Sequence, residues 1–412
     1  MASFAIPLSG LQANSDSLSV IANNLANLNT DGYKNQTVNF GDIFAGMQAS
    51  SGNGDPIQLG SGVQVESTTS NYTNGNVNST GVASNMALQG NGFFVVQNHG
   101  QTEYTRAGDF TVNSSGQLVN PNGDLLMGYP AVNGVISTVT ALSPIVVNQS
   151  ATIPAVATTS FNTVTNLQAG SPVGTTFSTP VSVVDSLGVS QTLSIQYTNT
   201  GTNAWSYNIT LPASATGGTG APVSLLTGNL TFNSSGALTS PTGTVTGVNI
   251  TGLADGAAPM NLTWDLNGAS GTPIITQQDS ASATTATNQN GYGVGTLTSY
   301  SVLANGTVQG QFSNNQSLAI GQVAVAGFAN VEGLAQLSNG DLQSTDSSGA
   351  AVVGQAGIGG NGTITGGAVE ESNVNLSTQF SNMIVAQQGY EANAKVLTAF
   401  DHVSQATIQL VS

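Results

Sequence analysis

The chain has 412 residues, of which only 5% are charged, and its three basic and nineteen acidic side chains give a formal net charge of −16. Because phosphates cannot be neutralised without a basic patch, this balance excludes nucleic-acid binding and argues against docking on an anionic membrane. The absence of cysteine excludes disulfides and thiolate metal sites. No apolar run approaches the roughly 18 residues of a membrane-spanning helix, so we expect no membrane insertion.

The N-terminal segment predicts an amphipathic helix, because its apolar residues recur at helical spacings and draw one seam along it. The seam consists of Leu11, Leu18, Ile21, Leu25 and Leu28. Asn23, Asn24 and Asn27 crowd the last turns although asparagine is a poor helix former. We expect these amides to form hydrogen bonds at the edge of a helix–helix contact. Gly32 is expected to end the helix in a left-handed conformation.

Residues 71–366 are expected to form β-structure throughout. Short alternating or apolar runs, such as residues 193–197, are separated by turn signals, and Asn-Gly occurs ten times. Each Asn-Gly predicts a type I′ hairpin turn, in which both central residues have positive φ. Strands at this spacing indicate β-sandwiches or barrels. Segments 111–121 and 231–241 match at seven of eleven positions, which predicts the same strand–turn–strand hairpin in two separate β domains.

Two changes in composition suggest that one β domain is inserted into another. Prolines and a Thr/Ala-rich run interrupt the β pattern at about 145–165, and a Ser/Ala/Thr-rich run interrupts it again at about 277–290. The predicted domains are 1–31 with 369–412 (terminal helices), 32–71 (extended linker), 72–146 with 288–368 (inner β domain) and 147–287 (inserted outer β domain).

The C-terminal segment predicts a second, longer helix. From residue 375 onward it contains one glycine, Gly389, and no proline, and its apolar residues follow a helical spacing. This second seam includes Phe380, Met383, Tyr390, Leu397 and Phe400. Glu370 and Glu371 are expected just before the helix, where negative charge suits the positive end of its dipole. The two seams can pack within one chain, as in an ordinary globular domain, or against helices of other copies.

Residues suited to catalysis are scarce. His99 and His402 are the only histidines. His402 follows Asp401, but adjacent helical side chains point about 100° apart and do not pair. The carboxylates are spread singly along the sequence, and no phosphate loop or dinucleotide motif is present. We therefore expect no catalytic, cofactor-binding or metal-binding residues, and we interpret the glycine-rich segment 357–367 as a flexible join.

Several segments of the chain resemble motifs of one known protein family. The first runs from Ala22 to Lys34 and contains the turn residues Asn29, Thr30, Gly32, Tyr33 and Lys34. The others are 89–94, 104–110, 286–292, 326–334 and 370–394. Together they resemble the flagellar axial family of rod, hook and junction proteins, and 286–292 and 326–334 are closer to hook than to rod proteins. Residues 147–285 match this family only loosely, and the near-absence of basic residues departs from it.

The resemblance implies a structural subunit of the extracellular flagellar hook and basal body, mainly β with terminal helices, that is secreted without a cleaved signal peptide. The helices of many copies would form a coiled-coil layer in a curved hollow tube, with the two seams and Asn23, Asn24 and Asn27 as the subunit interface. The tube would act as a universal joint that transmits torque from rod to filament and as an export channel. The implied partners are other copies, the rod, hook cap and hook–filament junction proteins, and the export apparatus. The alternatives are a distal rod or junction protein, or a secreted β-rich surface-layer or adhesin protein.

Overall fold

The computed structural model describes residues 4–44, 49–50, 56–57, 60–148, 150–268 and 270–411. The fold is mainly β with a helix near each end, which confirms the predicted fold class. Helix α1 spans Ala5–Ala26 and helix α2 spans Leu376–Val411. The chain divides into two compact units. Unit 1 comprises Met1–Asn148, Ser299–Gly310 and Leu318–Ser412, and unit 2 comprises Gln149–Thr298 and Gln311–Ser317.

The strands are short and are numbered here in chain order. The first group, in unit 1, is β1 (Gln36–Phe44), β2 (Ala49–Ser50), β3 (Pro56–Ile57), β4 (Gly60–Ser70), β5 (Val77–Ser79), β6 (Met86–Gln89), β7 (Phe93–Asn98), β8 (Gln101–Thr105), β9 (Thr111–Val112), β10 (Leu118–Val119), β11 (Leu125–Ile136) and β12 (Ser143–Pro144). Unit 2 contains β13 (Thr152–Ile153), β14 (Ser160–Gln168), β15 (Thr176–Val184), β16 (Ser190–Gly201), β17 (Ala204–Leu211), β18 (Val223–Phe232), β19 (Leu238–Ser240), β20 (Thr244–Ile250), β21 (Met260–Asp265), β22 (Ile275–Gln278) and β23 (Ala283–Gln289). Strands β24 (Gly295–Val302), β25 (Thr307–Phe312) and β26 (Ser317–Gly327) have residues in both units. The last group, again in unit 1, is β27 (Ala335–Gln336), β28 (Leu342–Gln343), β29 (Val352–Gln355), β30 (Thr363–Gly366) and β31 (Ala368–Glu370).

Unit 1 is built on an antiparallel sheet with the strand order β26-β11-β7-β8-β28-β27. Its central strand β7 begins with four consecutive buried residues, 93–96. Because successive side chains of a strand point to opposite faces, this run requires cover on both faces. Phe93 contacts Tyr72 on one face, while Phe94 contacts Phe110 on the other. Strands β1 and β4, from the predicted linker, form an antiparallel hairpin that contacts α1.

Unit 2 is a sandwich of two sheets, as predicted for the middle of the chain. One sheet is an antiparallel meander in the order β15-β16-β17-β18-β19. In the other, β14 pairs parallel with β21 and β22 and antiparallel with β23. Buried and accessible residues alternate along β16 and β17, which is the period of a strand with one face on a core. The core contains Tyr197, Trp205 and Trp264, all fully buried.

The prediction of type I′ hairpin turns is wrong at the described Asn-Gly pairs. Asn133 and Gly134 are the one described pair in which both residues have positive φ, at 52° and 78°, but they lie inside β11, where its pairing with β26 is irregular. The pair at 53–54 lies outside the described residues. At residues 303–307 the loop has three residues, because the Gly306 amide donates to Leu303 and the Leu303 amide donates to Thr307. In such a loop only the last residue needs positive φ, and glycine takes that place.

The predicted repeat of one hairpin in two β domains is confirmed. Asn113 Oδ1 accepts hydrogen bonds from the amides of Ser115 and Gln117, each at 2.9 Å. Asn233 Oδ1 likewise accepts hydrogen bonds from the amides of Ser235 and Ala237, at 3.0 and 2.9 Å. The first hairpin lies in unit 1 and the second in unit 2. An asparagine that binds its own turn is a local device, so the same short sequence gives the same geometry in both places.

Candidate functional site

The two terminal helices pack antiparallel against each other within one chain. The rings of Phe4 and Phe400 have centroids 6.1 Å apart, and at the other end Asn24 Nδ2 donates to Gln379 Oε1 at 3.4 Å. Ala13, Ile21 and Ala386 are buried along the pair. Part of each predicted seam is therefore covered without a second copy of the chain.

The predicted interface residues differ in how far this pairing covers them. Ile21 and Asn24 are buried. Those that are half-buried are Leu11, Leu18, Leu25, Asn27, Leu28, Met383, Leu397 and Phe400. Asn23, Phe380 and Tyr390 are exposed. Most of the seam thus keeps accessible apolar surface after the two helices have met.

Helix α2 also exposes a set of apolar side chains that we call the outer set. These residues are Leu376, Phe380, Ile384, Val385, Tyr390, Val396, Val403 and Ile408, whose side chains are between 43 and 69% exposed. Single exposed apolar residues are normal on a soluble protein, but several on one element mark an interaction surface. The apolar spacing in the sequence predicts one seam on this helix and does not separate the outer set from the residues that face α1.

Helix α1 ends at Ala26, so the prediction that Gly32 terminates it is wrong. The chain turns back earlier, because the side chain of Asn24 binds the returning backbone as a strand neighbour would. Asn24 Nδ2 donates to the Gln36 carbonyl at 2.7 Å, and the Gln36 amide donates to Asn24 Oδ1 at 2.9 Å. The Tyr33 hydroxyl adds a third bond to Asn24 Oδ1 at 3.1 Å. A buried amide that makes these bonds stabilises the turn, since an unpaired one would cost about 1–3 kcal/mol.

The other asparagines at the end of α1 bind within the same turn. Asn27 Nδ2 donates to the Asn23 carbonyl at 2.9 Å, and the Thr30 hydroxyl donates to Asn27 Oδ1 at 3.1 Å. Asn23 Nδ2 donates to the Tyr33 hydroxyl at 3.2 Å, while Asn29 is exposed. These amides form hydrogen bonds as predicted, but their partners lie in the same chain.

Gly32 has a different role from the predicted helix stop. Its φ is +70°, and a Cβ atom there would lie 2.5 Å from the Ala107 amide nitrogen. Its own amide donates to the Glu370 carbonyl at 2.7 Å. Glycine is required here because the backbone of residues 106–107 passes directly over it. The turn is therefore the meeting point of three segments that are distant in the sequence.

A buried ionic cluster of Lys34, Arg106 and Glu370 lies beside this turn. Lys34 Nζ is 2.6 Å from Glu370 Oε1, and Arg106 Nη1 is 3.4 Å from Glu370 Oε2. All three residues are buried, with Glu370 at 0% exposure. Both salt bridges found in the described ranges thus converge on one carboxylate. Glu370 had been predicted to serve the dipole of α2, but it is part of β31 and lies six residues before the helix begins.

Backbone groups add hydrogen bonds to the cluster, although the buried Arg106 Nε has no partner among the described residues. Lys34 Nζ also donates to the Thr73 carbonyl at 3.0 Å, and Glu370 Oε1 accepts from the Gly75 amide at 2.8 Å. Arg106 donates to the carbonyls of Leu88 and Gly90 at 3.1 and 2.6 Å. Burial lowers the pKa of the Lys34 ammonium and of the Arg106 guanidinium, and the Glu370 charge opposes both shifts. The cluster joins the N-terminal turn, the sheet of unit 1 and the segment that leads into α2.

A second buried cluster contains Glu103, Asp124 and Asp341, so the expectation that the carboxylates are spread singly is wrong. An oxygen of each lies within 4.8 Å of the others, and within the described residues this is the one group with the spacing to hold a cation. The amide of Asn339 donates to Glu103 Oε2 and to Asp341 Oδ2, both at 3.0 Å. Desolvation, the Asp124 hydrogen bond and the neighbouring negative charges raise the pKa of Asp341 to about 7. Asp341 therefore keeps its proton to a higher pH than an ordinary aspartate does.

Among the described residues, neither histidine forms a hydrogen bond with either cluster, although His99 lines one cavity together with Asp124. His99 occupies the tip of the β7–β8 hairpin with φ +46°, and His402 is exposed on α2. The glycine-rich segment 357–367, predicted as a flexible join, is hydrogen-bonded: the Gly362 amide donates to the Asn91 carbonyl at 2.7 Å, and β30 pairs with β6. Within the described residues, neither helix carries an apolar stretch long enough to cross a bilayer.

Comparison with known protein families gives matches to both terminal segments and to the β-structure between them. A profile of the flagellar basal body protein FlaE D2 domain matches residues 157–292, and one of the flagellar hook protein FlgE/F/G D1 domain matches residues 87–166. The flagella basal body rod protein profile matches residues 6–34, and that of the flagellar basal body rod FlgEFG protein C-terminal matches residues 365–410. The last two matches include α1 with its turn and α2.

Whole-chain relatives are hook proteins. The flagellar hook protein FlgE of Escherichia coli is 35% identical, with 99% of each chain covered. That of Salmonella typhimurium is 34% identical, covering 99% of this chain and 100% of the relative, and that of Treponema pallidum is 31% identical with 98% of each covered. The crystal structure of Helicobacter pylori flagellar hook protein FlgE2 matches with a TM-score of 0.51 at 15% identity, covering 70% of this chain and 98% of that one. This last likeness concerns the fold alone.

Proposed function

The chain belongs to the flagellar hook protein family and is a structural subunit of the hook, and on that premise we propose that its terminal helices join each copy to the next. The observation that carries this proposal is the outer set of α2, eight apolar side chains that are 43–69% exposed although α2 is already paired with α1. If each copy covered several hundred Å² of this surface, burial of apolar area would stabilise the contact by on the order of 10 kcal/mol, before the conformational entropy lost on assembly is subtracted.

The helices of many copies would then form the inner layer of a hollow, curved tube. A contact between two different surfaces of the same subunit propagates without closing and generates a helical polymer. We propose that this polymer transmits torque from rod to filament as a flexible joint and encloses the export channel. The seam residues that stay half-buried in one chain, such as Leu11, Leu18 and Leu397, would complete their burial there. Asn23 would lie at the edge of this layer.

The ionic cluster supports a mechanical role for the junction. Glu370 lies six residues before α2 and binds Lys34 and Arg106, so force applied to the helix pair passes into the sheet of unit 1 through buried, hydrogen-bonded contacts. Breaking such a pair on one side is costly, about 3–5 kcal/mol. A subunit that carries torque needs a stiff connection at this position.

For unit 2 we propose a contribution to bending. The nested organisation, with an outer β domain at 147–287 inserted into an inner one, remains part of this proposal. Unit 2 has no salt bridge among its described residues, so contacts between its copies would lack strong ion pairs that lock one register. A hook made without residues 160–280 should assemble but straighten or change its bending stiffness. Unchanged curvature and stiffness in electron micrographs would reject a mechanical role for this unit.

The partners of the polymer are proposed from the same premise. They are the flagellar rod, the hook cap, the hook–filament junction proteins and the export apparatus. We expect no catalytic activity, because the relatives that match the whole chain are named as flagellar hook proteins. The polymer of identical copies is the primary partner of each subunit.

Replacement of an outer-set residue by a charge tests the proposal. Ile384→Asp should leave a folded, soluble subunit that no longer polymerises, because the aspartate would be buried between copies. Gln387→Asp is the matched control, since Gln387 is also exposed on α2 and is already polar. Circular dichroism reports the fold, and negative-stain electron microscopy reports the tubes. Normal tubes from the Ile384 variant would overturn the proposal.

A further inference from the structure

Each terminal helix contains one glycine, and an asparagine follows it four residues later. The pairs are Gly10 with Asn14 in α1 and Gly389 with Asn393 in α2. Glycine inside a helix is destabilising by roughly 0.5–1 kcal/mol relative to alanine. Each helix is destabilised in this way at one position, so we expect the glycine there to allow a contact that the Cβ atom of alanine would prevent.

The two pairs interlock. A Cβ atom on Gly10 would lie 2.8 Å from the side-chain amide of Asn393, and one on Gly389 would lie 2.5 Å from Asn14 Oδ1. Each asparagine also donates to the carbonyl of the glycine in its own helix: Asn14 Nδ2 to Gly10 at 2.7 Å and Asn393 Nδ2 to Gly389 at 2.9 Å. Each asparagine thus holds a fixed orientation and fills the space that the glycine of the opposite helix leaves open. We call this arrangement the Gly–Asn clasp.

The clasp agrees with one antiparallel register along the whole pair. From Gly10 to Asn14 the chain advances four residues, while the contacts move back four residues from Asn393 to Gly389. Asn24 lies ten residues after Asn14, and its partner Gln379 lies ten residues before Gly389. The seam between the helices consists mostly of apolar and small side chains, which define register weakly. The reciprocal clasp is a shape that fits in one alignment.

We propose that the Gly–Asn clasp sets the register of α1 against α2 within each subunit, and thereby fixes where the outer set of α2 is presented to the next copy. The four residues are positioning residues. The second part rests on the proposed assembly through the outer set, whereas the first part is a property of the single chain. The two parts can therefore fail separately.

The absence of cysteine from the chain allows register to be measured by disulfide trapping in the soluble subunit. Ser17 lies three residues after Asn14 and Ala386 three before Gly389, and both line the same cavity beside the helices. Ser17→Cys with Ala386→Cys should cross-link within one chain. Ser17→Cys with Leu397→Cys is the off-register control, since eleven residues of helix separate Leu397 from Ala386 by about 16 Å, beyond disulfide reach.

Crosswise rescue distinguishes the clasp from general helix packing. In the Ser17/Ala386 cysteine background, Gly389→Ala should slow intrachain cross-linking by about tenfold, because its Cβ collides with Asn14. Adding Asn14→Ala should restore the rate, whereas adding Asn393→Ala should not. The reciprocal set, Gly10→Ala rescued by Asn393→Ala, should behave in the same way. An unchanged rate in Gly389→Ala, or equal rescue by both asparagine changes, would overturn the assignment of register to the clasp.

Two further readouts separate the clasp from assembly. If the cross-link forms between two chains, seen as a dimer on a non-reducing gel, the clasp does not act within the subunit and the proposal is wrong. Electron microscopy of the same variants then tests its second part: Gly389→Ala should lose regular tubes, and Asn14→Ala should restore them. If the cross-linking rates change as expected while the tubes stay regular, the clasp sets the register. The register would then not control how the outer set meets the next copy, and the second part would be rejected.

Discussion

Unit 2 and the junction in unit 1 are held together by different physical interactions. Unit 2 encloses an apolar core around Trp205 and Trp264, and its meander sheet pairs strands that follow one another in the chain. The junction instead brings together Lys34, Arg106 and Glu370 from three distant parts of the sequence and pairs them by charge. An apolar core tolerates small displacements, whereas buried charges need their partners in place. The comparison indicates that Lys34 and Arg106, two of the few basic residues, lie where the two ends of the chain must be fixed.

The largest expected effect comes from removing the shared carboxylate. Glu370→Gln leaves two buried cations without a counter-charge and should lower the free energy of unfolding of unit 1 by about 3–5 kcal/mol. Unit 2 should be unaffected, and its unfolding can be followed separately because both tryptophans lie in it. Urea denaturation by circular dichroism and by tryptophan fluorescence gives the two values.

The neighbouring Glu371→Gln is the matched control for this variant, since Glu371 is half-buried and forms no salt bridge in the described part of the chain. Its effect should stay below about 1 kcal/mol. Equal losses in the two variants would show that the charge of Glu370 is not what holds the junction.

A smaller effect should follow pH through the second carboxylate cluster. The pKa of Asp341 is raised from 3.8 to about 7 in the folded chain, so the folded state binds more protons between these values. The stability that this provides is full below about pH 4 and is lost as pH rises through about 7. Since one pKa unit corresponds to about 1.4 kcal/mol, the loss for unit 1 should be at most about 4 kcal/mol. Denaturation midpoints from pH 4 to 8 measure it.

Asp341→Asn should flatten this pH dependence, because an amide does not titrate. The exposed Asp346→Asn is the control and should leave the slope as in the wild type. A wild-type slope that persists in Asp341→Asn would contradict the assignment of this pH dependence to Asp341.

The side-chain amide of Asn24, at the end of α1, tests how much uncharged hydrogen bonds contribute to the junction. Asn24→Leu keeps the approximate volume but leaves the Gln36 amide and carbonyl without their partner. The expected loss is about 1–3 kcal/mol in unit 1, with faster hydrogen exchange at residues 33–37. Asn29→Leu, at an exposed position in the same turn, should change little. Similar losses in both variants would contradict a specific role for Asn24.

The smallest effect concerns salt. Raising sodium chloride from 0.1 to 1 M screens exposed charges, and unit 2 has no salt bridge among its described residues. Its unfolding free energy should therefore change by less than about 0.5 kcal/mol once the general salting-out trend of a charge-neutral reference protein is subtracted. A larger specific change, read from tryptophan fluorescence, would reveal ionic contributions that the structure does not contain.

Local sequence signals predicted the helices, the β body and the repeated hairpin. The Asn113 and Asn233 turns were predictable because each asparagine binds backbone within four residues of itself. The end of α1 was not, since the Asn24 bonds to Gln36 override the expected stop at Gly32. The type I′ turns failed for a related reason: an Asn-Gly pair does not by itself give the length of its loop.

The two clusters were out of reach of sequence patterns. Lys34 and Glu370 are 336 positions apart, and Arg106 and Glu370 are 264 apart, so no periodicity relates them. One signal was available: two of only three basic residues fall in the shared motifs at 22–34 and 104–110. In a chain with so few cations, their placement there pointed to a buried partner. The Glu103, Asp124 and Asp341 cluster had no comparable signal.

Hydrogen exchange measured by mass spectrometry on the wild type and Glu370→Gln tests most directly whether buried charge fixes the chain ends. We predict that the variant loses protection at residues 32–36, 73–76 and 368–379, while β16 and β17 of unit 2 keep the wild-type protection. Unchanged protection in the three junction segments, or an equal loss in β16 and β17, would contradict the account.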